Sequence, residues 1–511
     1  MSSKSTPTTA YIQDVAYHSS FNPVQAPAAM SFVAASQGFE APDPGRPFSY
    51  LELGCGTGTT LNGLAAACPH GQFTGVDFNA GLISAAREAA RAAGLGNIRY
   101  VEAAFSSLET RGPGLDLGQC DYLACSGTWS WLDDAEKMAL RRVIDATLRT
   151  GGLFYLGYAS IGRHSITPMW QVLRRLVPAS DSSSVERLRT GIQLLLALRD
   201  QGAQFLADHP PLLGVLNAIE AQVAAGDRSG LENLAHNALA EAYRTELVDE
   251  VAAGLGPMGI GFCGTAELFL NDPDLCVPNA LRSQFDQLAT RVQQELFKDF
   301  LRSTLARRDI FIRDVQRAPG AGQAYLEERA QATLTLPRAA ALEQVSKPGW
   351  TAFRYATPEI EFVFERVADG ATRLHEIAED SVHAPADLCD AFCKLVACPG
   401  IEPCLRAPVE APVRTPLQIR PASPFNQLAL QASRAGTASI HLASPVLGSC
   451  IELPHAEAML LAGLCGFGTT SAGPEAAAGF RRWFMAERLP QLMRLGTVAT
   501  SVTDHRGDGS P

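Results

Sequence analysis

Glu52, Gly54, Gly56 and Gly58 alternate in Tyr50-Leu51-Glu52-Leu53-Gly54-Cys55-Gly56-Thr57-Gly58, and Asp77 follows in Phe73-Thr74-Gly75-Val76-Asp77-Phe78. An apolar lead, an acidic residue and three alternate glycines describe a buried strand that turns sharply into a helix. Glycine takes positive φ without steric cost and lets a ligand approach the main chain. The helix behind it offers unpaired N–H groups at its start. Asp77 stands where the second parallel strand of a βαβ unit should finish. A carboxylate there can accept two hydrogen bonds from a ribose diol, and bonds to an ionised acceptor are the strong kind. Together these residues describe a nucleoside-binding edge of an open sheet. The dinucleotide signature G-x-G-x-x-G spaces its last glycine differently. Because Asp77 is expected to face the ligand, replacing it is expected to leave the unliganded fold almost as stable.

The elements that must hold this edge can be read around it. The first βαβ runs from Phe48 through Asp77, and a helix over Ala80 to Ala93 stops at Gly94. Ile98 to Val101, Cys120 to Cys125 and Leu153 to Tyr158 read as strands three to five, with a helix over Asp134 to Leu148 before the last. Strands alternating with helices predict a parallel, doubly wound α/β sheet. Met169 to Ala240 then reads as helical throughout, with breaks at Pro178 and at His209-Pro210-Pro211. Gly259 to Phe269 and Asp309 to Arg313 are expected to close the sheet as antiparallel strands, with one long helix over Ala280 to Leu301 between them. Gly320-Ala321-Gly322 marks a boundary. Trp350 to Glu365 alternates like short strands, Ala386 to Ala397 reads as a helix, Pro399 to Pro424 as a linker or extended segment, and Phe425 to Val498 as mostly helical. The expected division is a core over residues 1–318 with an insertion at about 165–245, a middle α+β domain over 325–410, and a helical C-terminal domain over 415–500. A fragment 1–318 is then expected to keep the ligand site.

Composition narrows the class. The chain has 511 residues and a net charge of −11, which argues against a general nucleic-acid or anionic-membrane surface. No apolar run reaches the length of a membrane span, and Met1-Ser2-Ser3-Lys4 does not open a signal peptide. Twelve cysteines scattered over this length fit a reduced, cytoplasmic protein. Cys389, Cys393, Cys398 and Cys404, with His383 nearby, form the only dense cysteine group; helix-face packing explains the first pair better than zinc, and no metal is expected.

Glu-x-Gly-x-Gly-x-Gly with Asp77 resembles the first motifs of class I S-adenosylmethionine (SAM)-dependent methyltransferases. Three further segments resemble those enzymes that carry a methyltransferase-regulatory domain, among them rickettsial-type protein lysine methyltransferases. They are Cys125-Ser126-Gly127-Thr128-Trp129-Ser130-Trp131-Leu132 after the fourth strand, Tyr158-Ala159-Ser160-Ile161-Gly162-Arg163-His164 after the fifth, and Tyr17 to Pro27. Asp299-Phe300-Leu301-Arg302 adds to the likeness. The resemblance implies a Rossmann-like class I methyltransferase sheet with a large helical insertion and winged-helix-like C-terminal parts. It implies SAM as cofactor, held by Glu52, Gly54, Cys55, Gly56, Gly58, Asp77, Phe78, Ala104, Phe105 and Ser126, with Tyr17 as a lid. The chain departs from the pattern at Ser126-Gly127, where the family commonly has His-Gly. It departs again at Ala103-Ala104-Phe105, where many class I enzymes place an Asp near the adenine amino group. A backbone carbonyl or Ser106 is then expected to meet that group.

Methyl transfer from a sulfonium is an in-line displacement, so positioning carries much of the rate and no metal is required. Aromatic faces attract sulfonium and ammonium cations. Trp129, Trp131 and Tyr158 follow the C-terminal ends of strands four and five, where open α/β sheets bind ligands, and are the expected substrate-lining residues. Packing anchors are the competing assignment for all three, most of all for Trp131. Asp133 and Asp134 read as helix caps and His164 as a solvated loop residue; no catalytic residue is assigned. Three functions fit: a methyltransferase acting on a protein, with lysine side chains as acceptors; a small-molecule O- or N-methyltransferase; and a SAM-binding regulatory protein. The large remainder beyond the cofactor motifs favours a protein partner and allows a homodimer.

Overall fold

The computed structural model describes residues 12, 14–15, 20–108, 116–178, 183–318, 320–346, 357–410, 417–434, 436, 438–467 and 476–502. Tyr17 lies outside them. Seven strands make the principal sheet: β1 (Phe48–Leu53), β2 (Gly71–Asp77), β3 (Ile98–Glu102), β4 (Cys120–Cys125), β5 (Leu148–Ala159), β6 (Ile260–Thr265) and β7 (Ala306–Arg313). Their order is β3-β2-β1-β4-β5-β7-β6, with β1 to β5 parallel and β7 antiparallel to both its neighbours. The order reverses between β1 and β4, which opens a crevice at the carboxyl ends of these strands.

Alternate residues supply the two faces. Leu51, Leu53, Leu123, Phe154 and Leu156 pack with Leu140, Val143 and Ile144 of the Asp134–Thr147 helix. Tyr50, Phe73, Tyr122 and Tyr155 face the other way, in one buried cluster with Met30, Phe32 and Val33 of the Pro27–Ser36 helix. A parallel sheet covered on both faces needs apolar residues at nearly every position, which is why β1 reads as a continuous run. β5 begins at Leu148, earlier than expected, because Leu148 pairs with Cys120 ahead of an irregularity before Tyr122.

Between β5 and β6, the helices Thr167–Leu176, Ser184–Asp200, Pro210–Ala224 and Arg228–Leu239 pack around Trp170, Leu188, Ile192, Leu216 and Leu231. The single helix expected over Ala280 to Leu301 is instead two, Arg282–Asp286 and Arg291–Arg302. Thr290 starts the second one through a reciprocal cap with Gln293.

The C-terminal half corrects two further expectations. The strand-like alternation over Trp350 to Glu365 gives way to the helix Pro358–Ala368, which Thr357 caps and Pro358 opens at a position where its missing N–H costs nothing; residues 347–356 lie outside the described ones. The proline-rich stretch supplies two strands, β9 (Ile401–Cys404), paired with β8 (Gln331–Leu334), and β10 (Leu417–Pro421), paired with β13 (Val498–Val502). β11 (Ile440–Ser444) and β12 (Ser449–Leu453) form a hairpin.

That hairpin lies against the helix that follows the glycine motif, Thr59–Ala67. Cys68 Sγ is 3.4 Å from the Gly448 carbonyl, a Cβ on Gly63 would come within 2.7 Å of Cys450 Sγ, and the Phe21 and His441 rings are 5.4 Å apart. Gly322, at the expected boundary, is pressed so closely to the Pro27–Ser36 helix that a Cβ would stand 1.9 Å from the Ala35 carbonyl oxygen. One buried cluster therefore joins residues from Phe21 to Cys450.

Candidate functional site

The turn after β1 is tied to β2 by two bonds to one carbonyl: Gly54 and Cys55 N–H donate to Val76 O at 2.8 and 3.0 Å. Gly54, Gly56 and Gly58 have φ of 77°, 55° and 69°. Two of them are also sterically required. A Cβ on Gly54 would stand 2.0 Å from Thr128 Oγ1, and one on Gly58 would stand 2.2 Å from the Tyr100 hydroxyl. A Cβ on Gly56 would meet nothing within 4 Å. The outer glycines therefore serve packing, while the middle one borders open space.

Asp77 ends β2 and is 7% exposed. Its Oδ2 accepts from Gly56 N–H at 3.0 Å and its Oδ1 from Asn79 N–H at 2.9 Å. Burial raises its pKa above the ordinary carboxylate range, and the backbone bonds oppose the rise. The carboxylate thus also ties the glycine turn through two backbone bonds, beside facing the cleft. Each oxygen keeps a lone pair for a second donor. Glu52 is 5% exposed, and its Oε2 is buried without a hydrogen-bond partner. Burial, with Asp77 beside it, pushes the Glu52 carboxyl up to about 8.

Two connected openings meet at these carboxylates. The first spans about 810 Å³, its open mouth included, and has an apolar lining of Phe78, Leu82, Ala103, Phe105 and Leu132, with Ala104 and Asp133 also bordering it. The second holds about 1710 Å³ and is bordered by Asn22, Glu52, Cys55, Gly56, Ser126, Tyr155, Tyr158, Tyr243 and three arginines, Arg163, Arg307 and Arg308. Gly54, Asp77, Thr128 and Trp131 border both. Of the residues singled out in the sequence, Glu52, Gly54, Cys55, Gly56, Asp77, Phe78, Ala104, Phe105, Ser126, Trp131 and Tyr158 line this double cleft. Gly58 sits behind it, and Ser106 is exposed away from its lining.

The aromatics divide differently from the expectation. Trp129 is fully buried, donates its indole N–H to Glu246 Oε2 at 2.6 Å, and has Lys137 and Arg141 over its ring. It anchors the core and does not line the cleft. Trp131 does line it, fixed by a 3.1 Å bond from its indole N–H to the His236 carbonyl and by the Tyr243 ring 5.3 Å away. Tyr158 borders the second opening, with its hydroxyl donating to Asp309 Oδ2 at 2.7 Å. Asp309 belongs to a buried ionic group in which Arg307 forks onto both of its oxygens and also reaches Asp299 and Glu295, the last of these shared with Lys298.

Asn22, Tyr155, Tyr243, Arg163 and Arg308 complete the second opening without having been singled out in the sequence. Asn22 Nδ2 donates to the Tyr155 hydroxyl at 3.0 Å, and its backbone N–H donates to Thr60 Oγ1 at 3.1 Å. Tyr155 also hydrogen-bonds Ser126, and burial raises its hydroxyl to about 12, so it stays protonated. The signal for Tyr155 was available in the alternation of β5; Asn22 and Arg163 lie in segments that carried the resemblance without being given a role, and nothing local marked Tyr243 or Arg308. Asp133 caps its helix as expected, accepting from Glu136 N–H at 2.9 Å. His164 is exposed, 3.0 Å from Thr245 Oγ1. Cys389 and Cys393 lie one turn apart on the Pro385–Val396 helix, and no group of His, Cys, Asp and Glu suited to a metal occurs among the described residues. Nor, among those residues, is any helix long and apolar enough to cross a membrane.

The donor set suits SAM. The first opening offers an apolar slot for a purine, Asp77 stands at the junction, and a buried carboxyl without a partner waits in the second opening for a cationic group. Residues 51–152 match the methyltransferase domain family, and residues 231–313 match a family described as a predicted methyltransferase regulatory domain. The chain is 25% identical over 457 residues to an uncharacterized protein of Synechocystis, covering 88% of this chain and 87% of that one. It is 28% identical over 163 residues to an uncharacterized protein of Rickettsia prowazekii, covering 32% of this chain and 27% of the relative. In structure it is similar to PKMT2 from Rickettsia typhi, with a TM-score of 0.66 at 15% identity over 94% of this chain and 100% of that one. The same protein in complex with AdoHcy gives 0.66 at 14% identity, over 94% and 99%. By its sheet, its cleft and these two matches, the chain carries a SAM-dependent methyltransferase domain on a Rossmann-like sheet, together with a methyltransferase regulatory domain.

Proposed function

We propose that the chain methylates lysine side chains of a protein. The observation that carries this reading is the second opening, walled by Trp131, Tyr243, Tyr155 and Tyr158 and continuous with the cofactor slot at Trp131. Aromatic walls suit an alkyl-ammonium side chain, because the ring faces attract the cation while the rings pack along the methylenes. The likeness to PKMT2 over nearly the whole chain supports the same reading.

Asp77 and the Gly54–Gly58 turn would hold the ribose and the methionine end of SAM, with Phe78, Ala104 and Phe105 along the adenine and Glu52 toward the cationic end. Bound SAM supplies a methyl group activated on a sulfonium, ready for in-line displacement. The chain's own part is to orient. Trp131 is locked at both ends, by the His236 carbonyl and the Tyr243 ring, so it presents a fixed wall. Asn22, Tyr155 and Ser126 form a hydrogen-bonded line across the opening, which keeps the polar floor in one arrangement. Such fixed geometry is worth several kcal/mol of barrier when it holds two reactants in line.

Incubating cell lysate with methyl-labelled SAM and the full-length chain tests the proposal. Label on protein, recovered as methyl-lysine, supports it. Label in the low-mass extract would make the small-molecule reading the better one, and no label would favour a SAM-binding regulator.

A further inference from the structure

The second opening has arginines on its acceptor side and no free carboxylate among its described residues to meet them. Arg307 is neutralised within its buried ionic group. Arg308 has one carboxylate contact, Glu267 Oε1 at 3.5 Å, and Arg163 hydrogen-bonds the Tyr243 hydroxyl rather than an acid. Glu52 and Asp77 sit at the cofactor end.

The same imbalance continues outside. Tyr243 is followed by Arg244, which lines a surface groove with Gln171, Arg174, Arg175 and Glu241. The guanidinium groups here bond to backbone oxygens: Arg174 to Ala238 at 2.8 Å, Arg175 to Gln171 at 3.4 Å, Arg187 to Val177 at 2.8 Å, and Arg244 to Glu241 and Tyr243 at 2.9 and 3.0 Å. Among the described residues, none of these four arginines, nor Arg163, has a carboxylate within 4.0 Å. Arg174 is pushed below the usual arginine range, by burial first; Glu241 opposes the shift, and Arg244, Arg175 and Arg187 add to it. In a chain of net charge −11, a group of arginines without carboxylate partners, joined to the lining of the second opening through the neighbours Tyr243 and Arg244, concentrates positive potential beside that opening.

We propose that this arginine track, Arg174, Arg175, Arg187 and Arg244 outside with Arg163 and Arg308 at the opening, docks an acidic protein segment and delivers a lysine flanked by carboxylates. The inference rests on the lysine reading above and adds to it which lysines are chosen. Arginine forks match carboxylates in pairs, so the track selects acidic sequence without needing a folded partner surface. Charge complementarity of this kind acts mainly on encounter and selection, and it weakens with salt.

The test uses the full chain and two short peptides, each with one lysine, flanked by Asp and Glu in one and by Asn and Gln in the other. Fluorescence anisotropy gives their affinities, and methyl-labelled SAM gives kcat/KM. The acidic peptide should bind about tenfold more tightly at low ionic strength, with the margin shrinking as salt rises. Replacing Arg174, Arg175 and Arg244 together by Gln should bring the two peptides within about twofold, with S-adenosylhomocysteine affinity retained as the check on folding. Arg308→Lys, which keeps the charge and loses the fork, should fall between. Equal binding of the two peptides by the wild-type chain would overturn the proposal, as would a preference that survives the triple replacement. So would displacement of the acidic peptide by a short oligonucleotide at lower concentration than by free acidic peptide, which would mark a nucleic-acid track. If the binding preference holds but label appears only as base-labile ester on the flanking acids, or not at all, the track stands and the lysine reading fails.

Discussion

Glu52→Gln is the most informative single change. The Glu52 carboxyl is 5% exposed, its Oε2 has no partner, and burial with Asp77 nearby raises its pKa from an ordinary 4.5 to about 8. The folded chain therefore keeps this proton across a pH range in which the unfolded chain releases it. The sign follows: stability is full below about 4.5 and is lost progressively as pH rises toward 8. Each pH unit inside the window costs about 1.4 kcal/mol, so from 4.5 to 7 the loss from this one group approaches about 3 kcal/mol. Gln cannot ionise and has nearly the same shape. The variant should match the wild type near pH 5 and pull ahead as pH rises, by roughly 2–4 kcal/mol at pH 8. Denaturant unfolding of ligand-free protein between pH 5 and 8.5 reads this directly. Curves for variant and wild type that stay parallel across the range would refute the argument. A second readout concerns the ligand. If a cation of SAM settles beside Glu52, binding near pH 7 should expel a proton, seen as a calorimetric heat that varies with the ionisation enthalpy of the buffer, and Glu52→Gln should abolish that variation.

The glycine turn separates folding from binding: Gly54→Ala should destabilise the chain severely, since its Cβ would collide with Thr128, whereas Gly56→Ala should fold at a cost of about 1–2 kcal/mol for its left-handed backbone and lose SAM affinity. Thermal melts beside SAM titrations check both. Trp129→Phe should lose about 2–4 kcal/mol of stability, because it empties core volume and leaves Glu246 Oε2 with Lys137 but without the indole donor, while Trp131→Phe should change stability by under about 1 kcal/mol and lower methyl transfer. A fragment of residues 1–318 should aggregate or melt well below the full chain rather than bind SAM intact, because it uncovers the Thr59–Ala67 helix, Phe21 and Ala35; light scattering and SAM binding decide it.

The sheet was legible because its signals are local. Parallel central strands are continuous apolar runs, the turn after β1 demands glycines, and helix ends carry their own caps, as Asn79 and Asp133 do. The two tryptophans show where local reading stops. Trp129 and Trp131 lie on one tight turn and point to opposite sides, and sequence spacing does not say which side is the cleft. Asn22, Tyr155, Arg163 and Arg308 reach one opening from separate places in the chain, so no motif could group them. Short strands in the C-terminal half, such as β9 and β10, pair with distant partners and leave little periodicity behind, which is why Pro399 to Pro424 read only as a linker or extended segment, without its pairing. The packing of the β11–β12 hairpin on the helix behind the glycine turn spans about 380 residues of sequence, as between Cys68 and Gly448.

The claim on which the rest depends is that the cleft at Gly56 and Asp77 takes SAM. Isothermal titration of the full chain with SAM and with S-adenosylhomocysteine, in excess chelator, measures it most directly. Saturable one-to-one binding of both is expected, abolished by Gly56→Val and indifferent to metal. Binding of NAD in their place, or of neither ligand, would contradict it.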